Sequence, residues 1–111
     1  MELTEEQKKL VRQFQMYQQQ LQAVLVQKEA IKMQMLEVEK ALEEISSTKE
    51  PKVYKLVGNI MVVKPTEEVK KELEESKEML EAREKSLKSA EDRFVNKIKE
   101  LEGQIKKILG E

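Results

Sequence analysis

Val53-Tyr54-Lys55-Leu56-Val57-Gly58-Asn59-Ile60-Met61-Val62-Val63-Lys64, bracketed by Pro51 and Pro65, is the stretch that decides how this chain folds. Two runs rich in β-branched and aromatic residues flank a Gly-Asn link. Such a link favours a type II′ hairpin turn, because Gly58 takes a positive φ without a Cβ clash. The register this implies pairs Val57 with Ile60, Leu56 with Met61, Lys55 with Val62 and Tyr54 with Val63. One face then carries Tyr54, Leu56, Met61 and Val63 and has no charge. The other carries Val53, Val57, Ile60 and Val62, with Lys55 and Lys64 toward its outer end. Burying one such apolar side chain contributes roughly 1.5–3 kcal/mol, so the charge-free face alone offers on the order of 6–12 kcal/mol. A lone two-stranded hairpin is marginal in water and cannot realise that energy unaided. Either the flanking segments fold back over it or it pairs with other sheets, and the second is expected.

On its N-terminal side, Thr4-Glu5-Glu6-Gln7 reads as a capping box. Apolar residues then recur at Leu10, Phe14, Tyr17, Leu21, Val24, Ile31, Met35, Val38, Leu42 and Ile45, with Lys28 between Val24 and Ile31. The alternating steps of four and three make a heptad seam, which demands a partner helix. Neither Pro nor Gly interrupts residues 1–50. The helix should end near Ser46-Ser47-Thr48, whose short polar side chains favour caps and turns. Such a helix of about 42 residues would extend about 63 Å at 1.5 Å per residue, too long for one wall of a compact small domain.

On the C-terminal side, Thr66 is the expected N-cap of a second helix, with Glu67 and Glu68 in its first turn. Its seam runs through Val69, Leu73, Ser76, Leu80, Arg83, Leu87, Ala90, Phe94, Ile98, Leu101, Ile105 and Ile108. The step from Ala90 to Phe94 to Ile98 is four and four, the mark of a stutter. Gly103 weakens the helix locally and Gly110 can close it. Equal arms joined by a short hairpin should pair antiparallel. Folding about Gly58 then sets Leu42 near Leu73, Met35 near Leu80, Val24 near Ala90, Leu21 near Phe94 and Phe14 near Leu101. Lys28, Ser76 and Arg83 become polar seam positions that set register. The expected fold is mainly α: a long antiparallel two-helix coiled coil with a single central β-hairpin. Residues 1–48 form the first helical segment, 49–65 the hairpin and 66–111 the second helical segment, together one domain.

Composition supports this and narrows the function. Charged residues make up 39 % and aromatics only 4 %, with three Gly and two Pro, the bias of long helices and coiled coils. A net charge of −1 speaks against broad electrostatic binding to nucleic acid or to an anionic membrane. The chain has no Cys and no His, which excludes thiolate chemistry, imidazole bases and most zinc sites. No phosphate loop and no activated nucleophile is present, so neither a cofactor nor an enzymatic activity is expected. No apolar run approaches the ~20 residues of a membrane span, and no signal peptide opens the chain. A soluble, cytoplasmic protein is expected.

Where the two chain ends meet, Leu3, Leu10 and Phe14 face Leu101, Ile105 and Ile108, while Val11, Val95 and Leu109 are apolar off the seam. The on-seam residues are equally the last layers of the core. For Val11 and Leu109 an exposed, adhesive role gains, since fraying helix ends cannot bury every apolar group. Gln13 to Gln27 holds seven Gln and no charge, a solvated helix face or a pliable contact surface. Among the six Met, Met35 and Met61 fit the core, and Met1, Met16, Met33 and Met79 are scattered elsewhere.

Helix, single hairpin reading VYKLVGNIMVVKP, then helix resembles the β-type subunit of prefoldin, most like its archaeal form, over essentially the whole chain. The α-type subunit of that family has two hairpins, and only one fits into residues 51–65. The resemblance implies a hexamer of two α-type and four β-type subunits, whose hairpins join into two β-barrels carrying six coiled coils. It implies that the tips capture unfolded polypeptides without ATP and deliver them to a group II chaperonin. It implies that Val53, Tyr54, Leu56, Val57, Ile60, Met61, Val62 and Val63 serve assembly. It implies that Leu3, Leu10, Val11, Phe14, Ile105, Ile108 and Leu109 touch clients. A structural or tethering coiled coil is the alternative. An RNA-binding coiled-coil arm would want a basic stripe that these mixed charges do not supply.

Overall fold

The computed structural model describes residues 2–110. Met1 and Glu111, the outermost residues of the two expected helical segments, lie outside the described residues. The elements run α1 (Glu5–Ser47), β1 (Lys52–Val57), β2 (Ile60–Pro65) and α2 (Thr66–Ile108). The chain is thus an antiparallel two-helix coiled coil with a central hairpin.

The capping box starts α1. Thr4 N donates to Gln7 Oε1 (2.8 Å), and Gln7 N donates to Thr4 Oγ1 (3.1 Å), satisfying two amides that the first turn leaves without partners. At the other end the Ser47 hydroxyl donates to the Glu44 carbonyl (2.9 Å), the local competition that stops a helix at such residues. Gly110, at φ +78°, closes α2, and its N–H donates to the Lys107 carbonyl (3.2 Å).

The hairpin has the expected register, from Val57↔Ile60 out to Lys52↔Pro65. Gly58 sits at φ +60° and Asn59 is not at positive φ, as a type II′ turn requires. Beyond the last pair, Thr66 N donates to the Pro51 carbonyl (3.0 Å). Pro51 has no N–H to return, so the Thr66 carbonyl is free to begin α2. The Thr66 hydroxyl was expected to cap that helix. It instead donates to the Glu50 carbonyl (2.6 Å), and the residue is buried. A hydroxyl next to a closing hairpin finds an orphan carbonyl across the strands before it finds its own helix amides.

The chain forms two compact units, Met1–Glu29 with Lys85–Glu111 and Ala30–Glu84. In the first, Val24 and Leu101 are buried. The rings of Tyr17 and Phe94 lie 6.0 Å apart between centroids. Phe94 had been expected opposite Leu21, so its aromatic partner is one helical turn away. Both Ala90 and Glu91, both Phe94 and Val95, and both Lys97 and Ile98 are half-buried, a widened contact face across the four-four step. Lys28, the polar seam residue, donates to Glu91 Oε1 (2.9 Å). In the second unit the buried apolar residues are Ile31, Ile45 and Leu80, all on the expected seams. Arg83 departs from expectation: it is exposed, its long side chain carrying the guanidinium out to water. Met61, expected in the core, is also exposed, because a two-stranded hairpin has only one face to lay on its own helices.

Candidate assembly and client-binding surfaces

The hairpin's two faces differ in how far the rest of the chain covers them. Tyr54, Leu56, Met61 and Val63 retain 72 %, 68 %, 66 % and 51 % of their surface in water. On the opposite face Val53, Lys55 and Lys64 are half-buried, and Val57, Ile60 and Val62 stay exposed. The bond between Thr66 N and the Pro51 carbonyl fixes the phase of the ladder. Hydrogen-bonded and open pairs alternate, so Lys55–Val62 and Val57–Ile60 bond to each other. Tyr54–Val63 and Leu56–Met61 are open pairs, and their N–H and C=O groups point outward along the two strand edges. The four apolar residues of this face, which β1 extends by one charge at its outer end, Lys52, are therefore the same ones that hold out unpaired backbone groups. A surface of this kind accepts another strand at its edge and an apolar layer on its face. A hollow of about 630 Å³ at the base of the hairpin, lined by Thr48, Glu50, Lys52, Val53, Tyr54 and Val63, adjoins it.

Sequence reasoning missed what holds the other face. Lys55 Nζ donates to Glu72 Oε2 (2.7 Å) and Lys64 Nζ to Glu72 Oε1 (3.0 Å), with Glu68 Oε1 3.8 Å from Lys64. The Lys55 and Lys64 bonds hold the Glu72 carboxyl below its ordinary range. The Glu72 bond pushes Lys64 above the ordinary lysine value. The signal was present in the sequence, as two lysines on one hairpin face and two acids one helical turn apart on the helix that follows.

At the paired helix ends, Val11, Phe14, Ile105 and Leu109 surround one hollow of about 440 Å³, together with Gln15, Gln18, Glu102 and Lys106. Four of the seven residues expected to touch clients are thus brought together. Leu3, Leu10 and Ile108 are half-buried and do not line it. Leu109 is more than half exposed, and a Glu102–Lys106 pair (3.4 Å) lies at the rim. A second hollow of the same size is lined by Tyr17, Gln20, Arg93, Phe94, Asn96, Lys97 and Glu100, where Arg93 stands 5.5 Å from the Phe94 ring centre. Met16, Met33 and Met79 are exposed as their off-seam positions suggest, and so are Leu25, Val26 and Leu36, which periodicity alone had not singled out. No helix among the described residues is long and apolar enough to cross a membrane.

A family model described as prefoldin subunit matches residues 8–111. The chain belongs to the prefoldin family. It is 39 % identical to the prefoldin subunit beta of Thermococcus kodakarensis over 87 % of this chain and 84 % of that one. With the prefoldin subunit beta of Archaeoglobus fulgidus it shares 45 % identity over 65 % of this chain and 63 % of that relative, a little under two thirds of its length. The crystal structure of the prefoldin beta subunit from Thermococcus strain KS-1 superposes with a TM-score of 0.86, at 36 % identity, over 97 % of this chain and 96 % of that one. The single hairpin places the chain with the β-type subunits of the prefoldin family.

Proposed function

We propose that this chain is a subunit of an ATP-independent holdase that keeps unfolded proteins from aggregating and passes them to a group II chaperonin. It acts without catalysing a reaction. Residues Val53–Val57 and Ile60–Val63 join the hairpins of neighbouring subunits, two α-type and four β-type in a hexamer, in the cytoplasm. Leu3, Leu10, Val11, Phe14, Ile105, Ile108 and Leu109 hold the client. The observation that carries this reading is the hollow between the helix ends, where Val11, Phe14, Ile105 and Leu109 leave apolar surface uncovered. Such a surface grips side chains of many shapes and asks nothing of the client's backbone, as an unfolded partner requires.

The test is the light scattering of a denatured protein diluted into buffer without ATP. The assembled complex should suppress aggregation, and one whose copies of this chain lack residues 1–10 and 106–111 should not. Suppression by neither complex would favour a tethering coiled coil. Equal suppression by both would move capture away from the helix ends.

A further inference from the structure

We infer that Glu72 is a positioning residue for assembly: through Lys55 and Lys64 it holds the hairpin against α2 in one orientation and so decides which face is offered to neighbouring subunits. This rests on the reading of the face made by Tyr54, Leu56, Met61 and Val63 as the assembly surface.

The hairpin joins α2 directly, with no linker between Pro65 and Thr66. The other ties at that junction, from Thr66 to the carbonyls of Pro51 and Glu50, gather at the same residue. Bonds clustered at a pivot resist rotation about it poorly. Glu72 stands six residues further on, about 9 Å along the helix axis. From there it bonds β1 through Lys55 (2.7 Å) and β2 through Lys64 (3.0 Å), one carboxylate oxygen to each. One side chain thus ties both strands to the helix at a lever arm from the pivot. Glu68, one turn nearer the pivot, touches only Lys64, and at 3.8 Å.

The same carboxylate settles a problem of charge. Lys55 and Lys64 are diagonal neighbours on one face in this register, and diagonal neighbours are close enough to interact. A hairpin turned the other way would bring two ammonium groups into an apolar joint with no partner, which is costly. Glu72 neutralises that face, while Tyr54, Leu56, Met61 and Val63 lie on the opposite one, where Lys52 at the outer end of β1 is the one charged residue of the two strands.

The experiment measures the mass of the purified complex by light scattering through a dilution series. It compares the natural chain with Glu72→Gln, Glu72→Lys, the swap Glu72→Lys/Lys55→Glu/Lys64→Glu, and Leu56→Lys. Circular dichroism checks that each remains helical. The Glu72→Gln complex should dissociate at a concentration about tenfold higher, the effect expected of losing charge-assisted bonds, and Glu72→Lys higher still. The swap should recover most of the loss, which a residue needed only for helix stability would not show. Wild-type assembly of Glu72→Lys, or no recovery in a folded swap, with Leu56→Lys impaired, overturns the role of Glu72 alone. Wild-type assembly of Leu56→Lys overturns the assembly face, and the role of Glu72 with it.

Discussion

At the hairpin the uncovered apolar surface is made by strands whose outward edges still carry unpaired N–H and C=O groups. Around Phe14 and Ile105 it is a hollow between two helices whose backbone groups are already spent within each helix. The first kind of surface demands register and a partner that is itself a strand. The second demands only apolar side chains. On the reading proposed above, joining a defined assembly uses the first kind and holding undefined clients the second, and the difference in backbone availability would keep the two roles apart.

The largest effect should come from charging the hairpin. Leu56→Lys/Met61→Lys removes two side chains each worth roughly 1.5–3 kcal/mol on burial and puts ammonium groups into the joint. Light-scattering mass should fall from the complex to the free chain while helicity persists. An intact complex would show that the assembly face lies elsewhere.

Val11→Ser/Leu109→Ser strips two off-seam residues of the hollow and should leave the complex at full mass. The amount of complex needed to suppress aggregation should rise several-fold, since each truncation removes only a fraction of the roughly 1.5–3 kcal/mol that full burial of such a side chain contributes. Loss of mass in this variant would mean that the two surfaces are not separable.

Acid should act on the hairpin through Glu72 and on the helix pair through Glu91. Glu72 is held low by Lys55 and then Lys64, and Glu91 by Lys28 and then Lys88. Carboxyls lowered in the folded state contribute stability above their ordinary value of 4.5 and lose it as the pH falls through the folded value. Lys64 and Lys88, both raised by their acidic partners, contribute below 10.5 and lose that contribution as the pH rises past it. Complex mass and helicity followed by pH should therefore decline below 4.5, and an unchanged complex well below that would deny the ion pairs a role.

The smallest effect is expected at Gly103. A Cβ there meets nothing within 4 Å, so Gly103→Ala should stabilise α2 by about 0.5–1 kcal/mol and raise the thermal midpoint by a few degrees. A lower midpoint would show that the helix needs the glycine.

Much of this was legible in the residues themselves. The Gly58-Asn59 link determined the hairpin register, the steps of three and four picked out Val24, Ile31, Ile45, Leu80 and Leu101, and Thr4 with Gln7 marked the first helical turn. These are local patterns, set by the periods of strand and helix. What escaped depended on groups distant in sequence. The Thr66 hydroxyl serves Glu50, Glu72 reaches back to Lys55, and the ring of Tyr17 meets that of Phe94. Arg83 occupies a seam position by count but escapes it by length. Of the expected client residues, only the helix packing could tell that Val11, Phe14, Ile105 and Leu109 share a hollow while Leu3, Leu10 and Ile108 stand apart from it.

The most direct test of the division between the two surfaces places a photo-crosslinking side chain at Phe14 or at Met61 of the assembled complex, with a denatured client present. From position 14 the adducts should be with the client, and from position 61 with neighbouring subunits whether or not client is added. Client adducts from position 61, or none from position 14, would contradict it.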